Sequence, residues 1–188
     1  MHSTPTIIIA ILVVIAAIVA VALLLLTRRN KTLALQRRFG KEYERTVTLR
    51  GSEKEAQAVL EQRQKRVAHF NIRKLSPAER DRYAEAWREV QSRFVDDPKG
   101  ALIEADDTVI SVMRAEGYPM SDFAQRAADL SVDHPNVVQN YRAAHEIALR
   151  HREGGVTTED LRQAMIYYRS LFEDLLNGRK PDGIREVA

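Results

Sequence analysis

Residues 7–26 are twenty consecutive positions occupied only by Ile, Ala, Leu and Val. As a helix, such a run is about 30 Å long, the thickness of a bilayer's hydrocarbon core. It has no polar face, as a soluble core helix would, and reads as an uncleaved transmembrane helix. A cleaved signal peptide fits less well. Residues 1–6 carry no Lys or Arg, and Ala20-Val21-Ala22 is followed by four leucines. The run also exceeds the usual apolar region of a signal peptide, about 7–15 residues. All 29 basic and 26 acidic residues lie outside it, so about a third of the remaining positions are charged. That excludes a polytopic membrane protein and a wholly disordered chain. The absence of cysteine excludes a disulfide scaffold, thiol catalysis and Cys-based zinc or iron–sulfur sites.

Charge gives an orientation. No basic residue precedes the run, whereas Arg28, Arg29, Lys31, Arg37, Arg38 and Lys41 follow it closely. Basic residues near a span end stay on the cytoplasmic side. The expectation is a bacterial inner-membrane protein with residues 1–6 outside and the bulk of the chain in the cytoplasm. Residues 27–75 carry 14 Lys/Arg against 5 Asp/Glu, and residues 76–188 carry 15 against 21. A basic stalk therefore precedes an acidic head. Arg28, Arg29, Lys31, Arg37 and Arg38 are candidates for contact with anionic lipid headgroups, each worth about 1 kcal/mol when well placed.

The soluble part reads as all-α. In the stalk, Leu35, Phe39, Tyr43 and Val47 recur at four-residue spacing, with Gly40 tolerated and Gly51 breaking the pattern. Ser52 and Glu55 have capping-box spacing. Ala56, Leu60, Arg63, Val67 and Phe70 then form a thin stripe that must lie on the head, on a membrane or on another copy, as in a coiled coil. Residues 76–178 predict a helical bundle of four long helices and one short one. Ser76-Pro77-Ala78-Glu79 is a start signal, and Tyr83, Trp87, Val90 and Phe94 follow it on one face. Asp97-Pro98 restarts the chain and Gly117-Tyr118-Pro119 stops it. Ser121 opens the short helix. The next begins near Asp133-His134-Pro135, with Val138, Tyr141, His145, Ala148 and Leu149 facing inward, and ends at Gly154-Gly155. Thr157 caps the last, whose stripe is Leu161, Met165, Tyr168, Phe172 and Leu175. Gly178 closes it, and residues 179–188 read as a loose tail.

Catalytic patterns are missing. No G-x-G-x-x-G, Walker A or G-x-S-x-G occurs. His145-Glu146 opens like H-E-x-x-H, but position 149 is Leu, and no Glu-x-x-His pair exists for a di-iron bundle. The densest ionisable cluster is Arg126, Asp129, Asp133 and His134, with Tyr141 on the following helix. An Asp-His pair near an Arg can hold an anionic ligand or cap and pair at a tight corner. These five residues are the candidate ligand or partner site. No cofactor or metal site is expected, and the acidic head argues against nucleic acid.

The distal sequence includes Arg93-Phe94-Val95-Asp96-Asp97-Pro98, Gly117-Tyr118-Pro119 and Arg126-Ala127-Ala128-Asp129-Leu130-Ser131-Val132-Asp133-His134-Pro135. It resembles bacterial proteins left as uncharacterised single-pass membrane or putative secreted proteins, from the stalk to the last helix. The resemblance implies a bacterial source and carries over no site. Together these readings give a non-enzymatic, membrane-anchored helical protein. Its head is expected to dock a protein partner or another copy. The alternative is a ligand-binding sensor or accessory domain with a pocket between bundle helices, near His134 and Tyr141.

Overall fold

The computed structural model describes residues 4–152 and 155–177. Among them the chain is all-α, with eight helices and no strand. Helix α1 spans Thr4–Phe39. The large aliphatic side chains of residues 12–26 are each 50–63% exposed, so nothing among the described residues covers them. Among the described residues, α1 is the one helix long and apolar enough to cross a membrane, a test that a signal sequence near an N-terminus also passes. It continues unbroken into the stalk, where Leu35 and Phe39 become buried.

The stalk periodicity does not run through Gly40 as the spacing suggested. Gly40 takes φ +48°, a left-handed value that favours glycine, and the chain restarts as α2, Lys41–Arg50. Helix α3, Glu53–Val67, follows. Ser52 occupies its N-cap position with extended backbone, but its side chain makes no cap bond, so the capping box expected with Glu55 does not form. The acidic Glu53 and Glu55 in the first turn still complement the helix dipole. The thin stripe of α3 finds its cover within the chain: α3 packs on α1, α2 and α6. Leu35, Phe39, Tyr43, Leu60, Val67 and Val132 form one small apolar cluster there. The stalk is thus laid against the head.

The head comprises α4 (Pro77–Arg93), α5 (Pro98–Glu116), α6 (Phe123–Asp133), α7 (Val138–Arg152) and α8 (Thr158–Asn177). The start signals work as read. Ser76 and Glu79 form a reciprocal capping box, Asp97 accepts from the Gly100 N–H, and Thr157 and Asp160 cap each other. The short helix starts two residues after Ser121, with Asp122 as its cap, because the Asp carboxylate reaches the Gln125 N–H. Helices α4, α5, α8 and α7 pack in that order, and α6 joins α7 to α3. Trp87 stacks on Phe172 at 4.6 Å in the core, and all five stripe residues of α8 are buried. On α7 the inward face differs from the expectation. Ala144 and Ile147 are buried, His145 and Ala148 are half-buried, and Leu149 is 43% exposed. From Val138 the buried residues advance by threes, which turns the face about 60° per step and carries it past Leu149. Gly154, Gly178 and the tail 179–188 lie outside the described residues.

Candidate functional site at the stalk–head junction

Two polar clusters join the stalk to the head. The first centres on Glu42 of α2, which is fully buried. Its Oε1 accepts from Arg63 Nη1 at 2.9 Å and Arg142 Nη2 at 3.0 Å. Its Oε2 accepts from Arg142 Nη1 at 2.8 Å and Gln139 Nε2 at 2.6 Å. Arg63 also donates to Ser131 Oγ at 3.2 Å. Three helices, α2, α3 and α7, are therefore tied through one carboxylate. Burial holds the Arg142 guanidinium below its ordinary pKa, and the Glu42 charge opposes that shift. Nearby, Arg66 of α3 donates to Asp129 Oδ1 at 3.1 Å, and Gln125 donates to the same oxygen at 2.7 Å. Burial nonetheless pushes the Asp129 carboxyl up.

The second cluster lines an open cleft of about 650 Å³ between the stalk and the head. One wall is the end of α1 and the C-terminal turns of α3, contributing Arg38, Lys65 and Val67. The chain joining α3 to α4 adds Phe70, Ile72, Arg73 and Lys74. The opposite wall holds Glu116 and Tyr118 at the end of α5, and Val132, Asp133 and His134 at the end of α6. Gly117 makes this geometry possible. Its φ is +99°, and a Cβ there would lie 2.4 Å from the Asn71 carbonyl oxygen. The α3–α4 connection can therefore press on the end of α5, where the Arg73 N–H donates to the Glu116 carbonyl at 2.9 Å.

Inside the cleft, Tyr118 Oη donates to Asp133 Oδ2 at 3.1 Å, and Arg38 Nη2 lies 3.8 Å from Asp133 Oδ1. His134 Nδ1 is 2.5 Å from Asp174 Oδ2 on α8. Arg73 is committed to Glu79 by bonds of 2.6 and 2.8 Å. Glu116 is 5% exposed, and its Oε2 has no hydrogen-bond partner among the described residues. Burial pushes its carboxyl up to about 7, opposed first by the charge of His134 and reinforced by Asp133 and Asp174.

The five residues singled out from the sequence thus divide among three environments. Asp133 and His134 line the cleft. Asp129 faces the stalk and binds Arg66. Arg126 and Tyr141 pair inside the head: Arg126 Nε donates to Tyr141 Oη at 3.4 Å, and Arg126 Nη1 to the Ser121 carbonyl at 2.6 Å. Burial pushes Tyr141 up to about 12. His145 stacks on Phe123 at 3.5 Å. Sequence reading missed Glu42 and Glu116. Each had a signal, since each continues an apolar stripe: Glu42 follows Phe39 by three, and Glu116 follows Met113 by three. No group of three or more potential metal ligands comes together among the described residues. No family model, curated protein or solved structure matches the chain.

Proposed function

We propose that this is a non-enzymatic, single-pass membrane-anchored module that binds a small ligand in the cleft between its stalk and its head. The observation that carries the reading is Glu116, a buried carboxylate that lines the cleft with one oxygen lacking a hydrogen-bond partner among the described residues. Leaving a buried polar group without a partner is costly, so one that lines a cleft calls for a partner from outside the chain, a water, an ion or a ligand. The test is a thermal-shift screen of the full chain in detergent against a collection of small metabolites. The control is Ile72→Trp, which narrows the cleft from the connecting chain. At least one compound should raise the unfolding temperature of the native protein and not of Ile72→Trp. A collection without such a compound overturns the reading.

Anchoring belongs to the same proposal. The basic imbalance across the apolar run favours an inner membrane with the head in the cytoplasm. A fluorescent protein that matures only in the cytoplasm should glow when fused after Ala188, and a dark fusion contradicts the orientation. Among the lipid candidates, Arg28, Arg29 and Lys31 lie within about 8 Å of Leu26 along the helix, while Arg37 and Arg38 lie about 16–18 Å away. Lys31 also pairs with Glu61 at 2.6 Å. Arg28 and Arg29 are therefore the headgroup contacts of this proposal. Docking of a protein partner or a second copy is a second reading, supported by Val95 and Ile103, which are 81% and 59% exposed.

A further inference from the structure

The cleft is graded in burial and in charge. Its buried end holds Glu116 and His134, each 5% exposed, and the Asp133 side chain, 8% exposed. Its mouth holds four cations, Arg38, Lys65, Arg73 and Lys74. Val67, Phe70 and Val132 supply apolar wall. Most of these charges are already engaged within the protein, Asp133 by Tyr118 and Arg38, Arg73 by Glu79, and His134 by Asp174. Glu116 Oε2 at the buried end has no partner among the described residues. No ion pair forms to Lys65 or Lys74 among them either.

We propose that the cleft takes a small zwitterionic amine, an amino-acid-like molecule, with its ammonium group on Glu116 and its anionic group toward Lys65 and Lys74. The proposal rests on the ligand-binding reading and specifies its ligand. An ammonium brings three donors and no acceptor, which suits the Glu116 carboxyl; Oε2 itself is closed to solvent, so the ammonium reaches it when the side chain turns toward the cleft. A purely anionic ligand would set its charge against Glu116 and Asp133. A purely cationic one would have to pass the basic mouth. A molecule with both charges meets complementary groups at both ends.

Proton balance gives this proposal a distinctive readout. Glu116 faces Arg73 from the connecting chain, Asp133 and His134 from α6 and Asp174 from α8, and it holds its proton up to about pH 7. An arriving ammonium displaces that proton, so binding releases protons and tightens as pH rises from 6 to 8. An anion bound by the protonated carboxyl would do the opposite.

The experiment is titration calorimetry of the full chain in an uncharged maltoside detergent, in two buffers of different ionisation heat. The zwitterionic probes are the standard α-amino acids, 6-aminohexanoate and phosphoethanolamine. Hexanoate, inorganic phosphate and hexylamine carry one charge type each. At least one zwitterion should bind with proton release, and should bind at least tenfold more weakly to Glu116→Gln and several-fold more weakly to Lys65→Ala. Thermal unfolding of both variants verifies that they fold. Equal binding to Glu116→Gln, proton uptake, or no binding by any zwitterion overturns the proposal. Binding by hexanoate or phosphate alone, lost in Ile72→Trp, also overturns it and leaves the ligand-binding reading standing. If the broader collection also yields nothing, both fall.

Discussion

Glu42 and Glu116 are both buried where the stalk meets the head, yet their surroundings are opposite. Glu42 accepts four hydrogen bonds from Arg63, Arg142 and Gln139, and both guanidinium side chains are themselves largely covered, at 15% and 16% exposure. Glu116 has an oxygen with no hydrogen-bond partner among the described residues, and burial disfavours its charge, with His134 opposing that and Asp133 and Asp174 reinforcing it. A carboxylate saturated by donors from two other helices is a structural tie. Its removal leaves buried cations uncompensated. A carboxylate without that saturation contributes nothing to the fold by being charged. The difference teaches that burial alone does not mark function. The deciding property is whether the chain supplies the partner.

The largest effect that can break this comparison is expected at the tie. Glu42→Ala should destabilise the full chain by about 3–5 kcal/mol, because Arg63 and Arg142 are left buried without a counter-charge. Urea unfolding in detergent measures it. A loss below about 1 kcal/mol would place the cluster with ordinary surface ion pairs. Next is the apolar half of the junction. Leu60 is fully buried in the stalk cluster, so Leu60→Ala should cost about 2–5 kcal/mol. Hydrogen exchange should then rise in α2 and α3 and stay low in α5 and α8. An equal rise in α8 would show that stalk and head open as one unit.

The smallest effect sharpens the other side. Glu116 has its folded-state pKa raised from 4.5 to about 7. The protonated form is favoured by folding, so this group's contribution is complete below about pH 4.5 and is lost as pH rises through about 7. The loss is at most about 3–4 kcal/mol. Glu116→Gln should flatten the stability profile over that window and leave the protein no less stable at pH 8. A profile unchanged by the substitution would show that Glu116 is not the titrating group.

Much of the fold is legible in the sequence because its signals are local. The Ser76 box, the Asp97 cap, the Gly117 stop and the α8 stripe each act within a turn or two of helix. The junction is not legible in that way. Arg142 meets Glu42 across 100 residues and Arg63 meets Ser131 across 68, and no helical period encodes such pairings. The candidate site was therefore half seen. Asp133 and His134 are found in the cleft, but their sequence neighbours Arg126 and Asp129 sit on other faces of α6 and turn to different partners. Glu116 reaches the same cleft from α5 only because Gly117 lets the α3–α4 connection close against it.

Thermal unfolding of Glu42→Gln and Glu116→Gln, measured side by side with the native full chain at pH 8, tests the central contrast most directly. Gln retains the shape of either side chain, removes its charge and turns one acceptor oxygen into a donor NH2, which at Glu42 would face the donors of Arg63, Arg142 or Gln139. The account predicts a marked fall in unfolding temperature for Glu42→Gln, and an unchanged or higher temperature for Glu116→Gln. Equal falls in the two variants would contradict it, since both glutamates would then be structural ties.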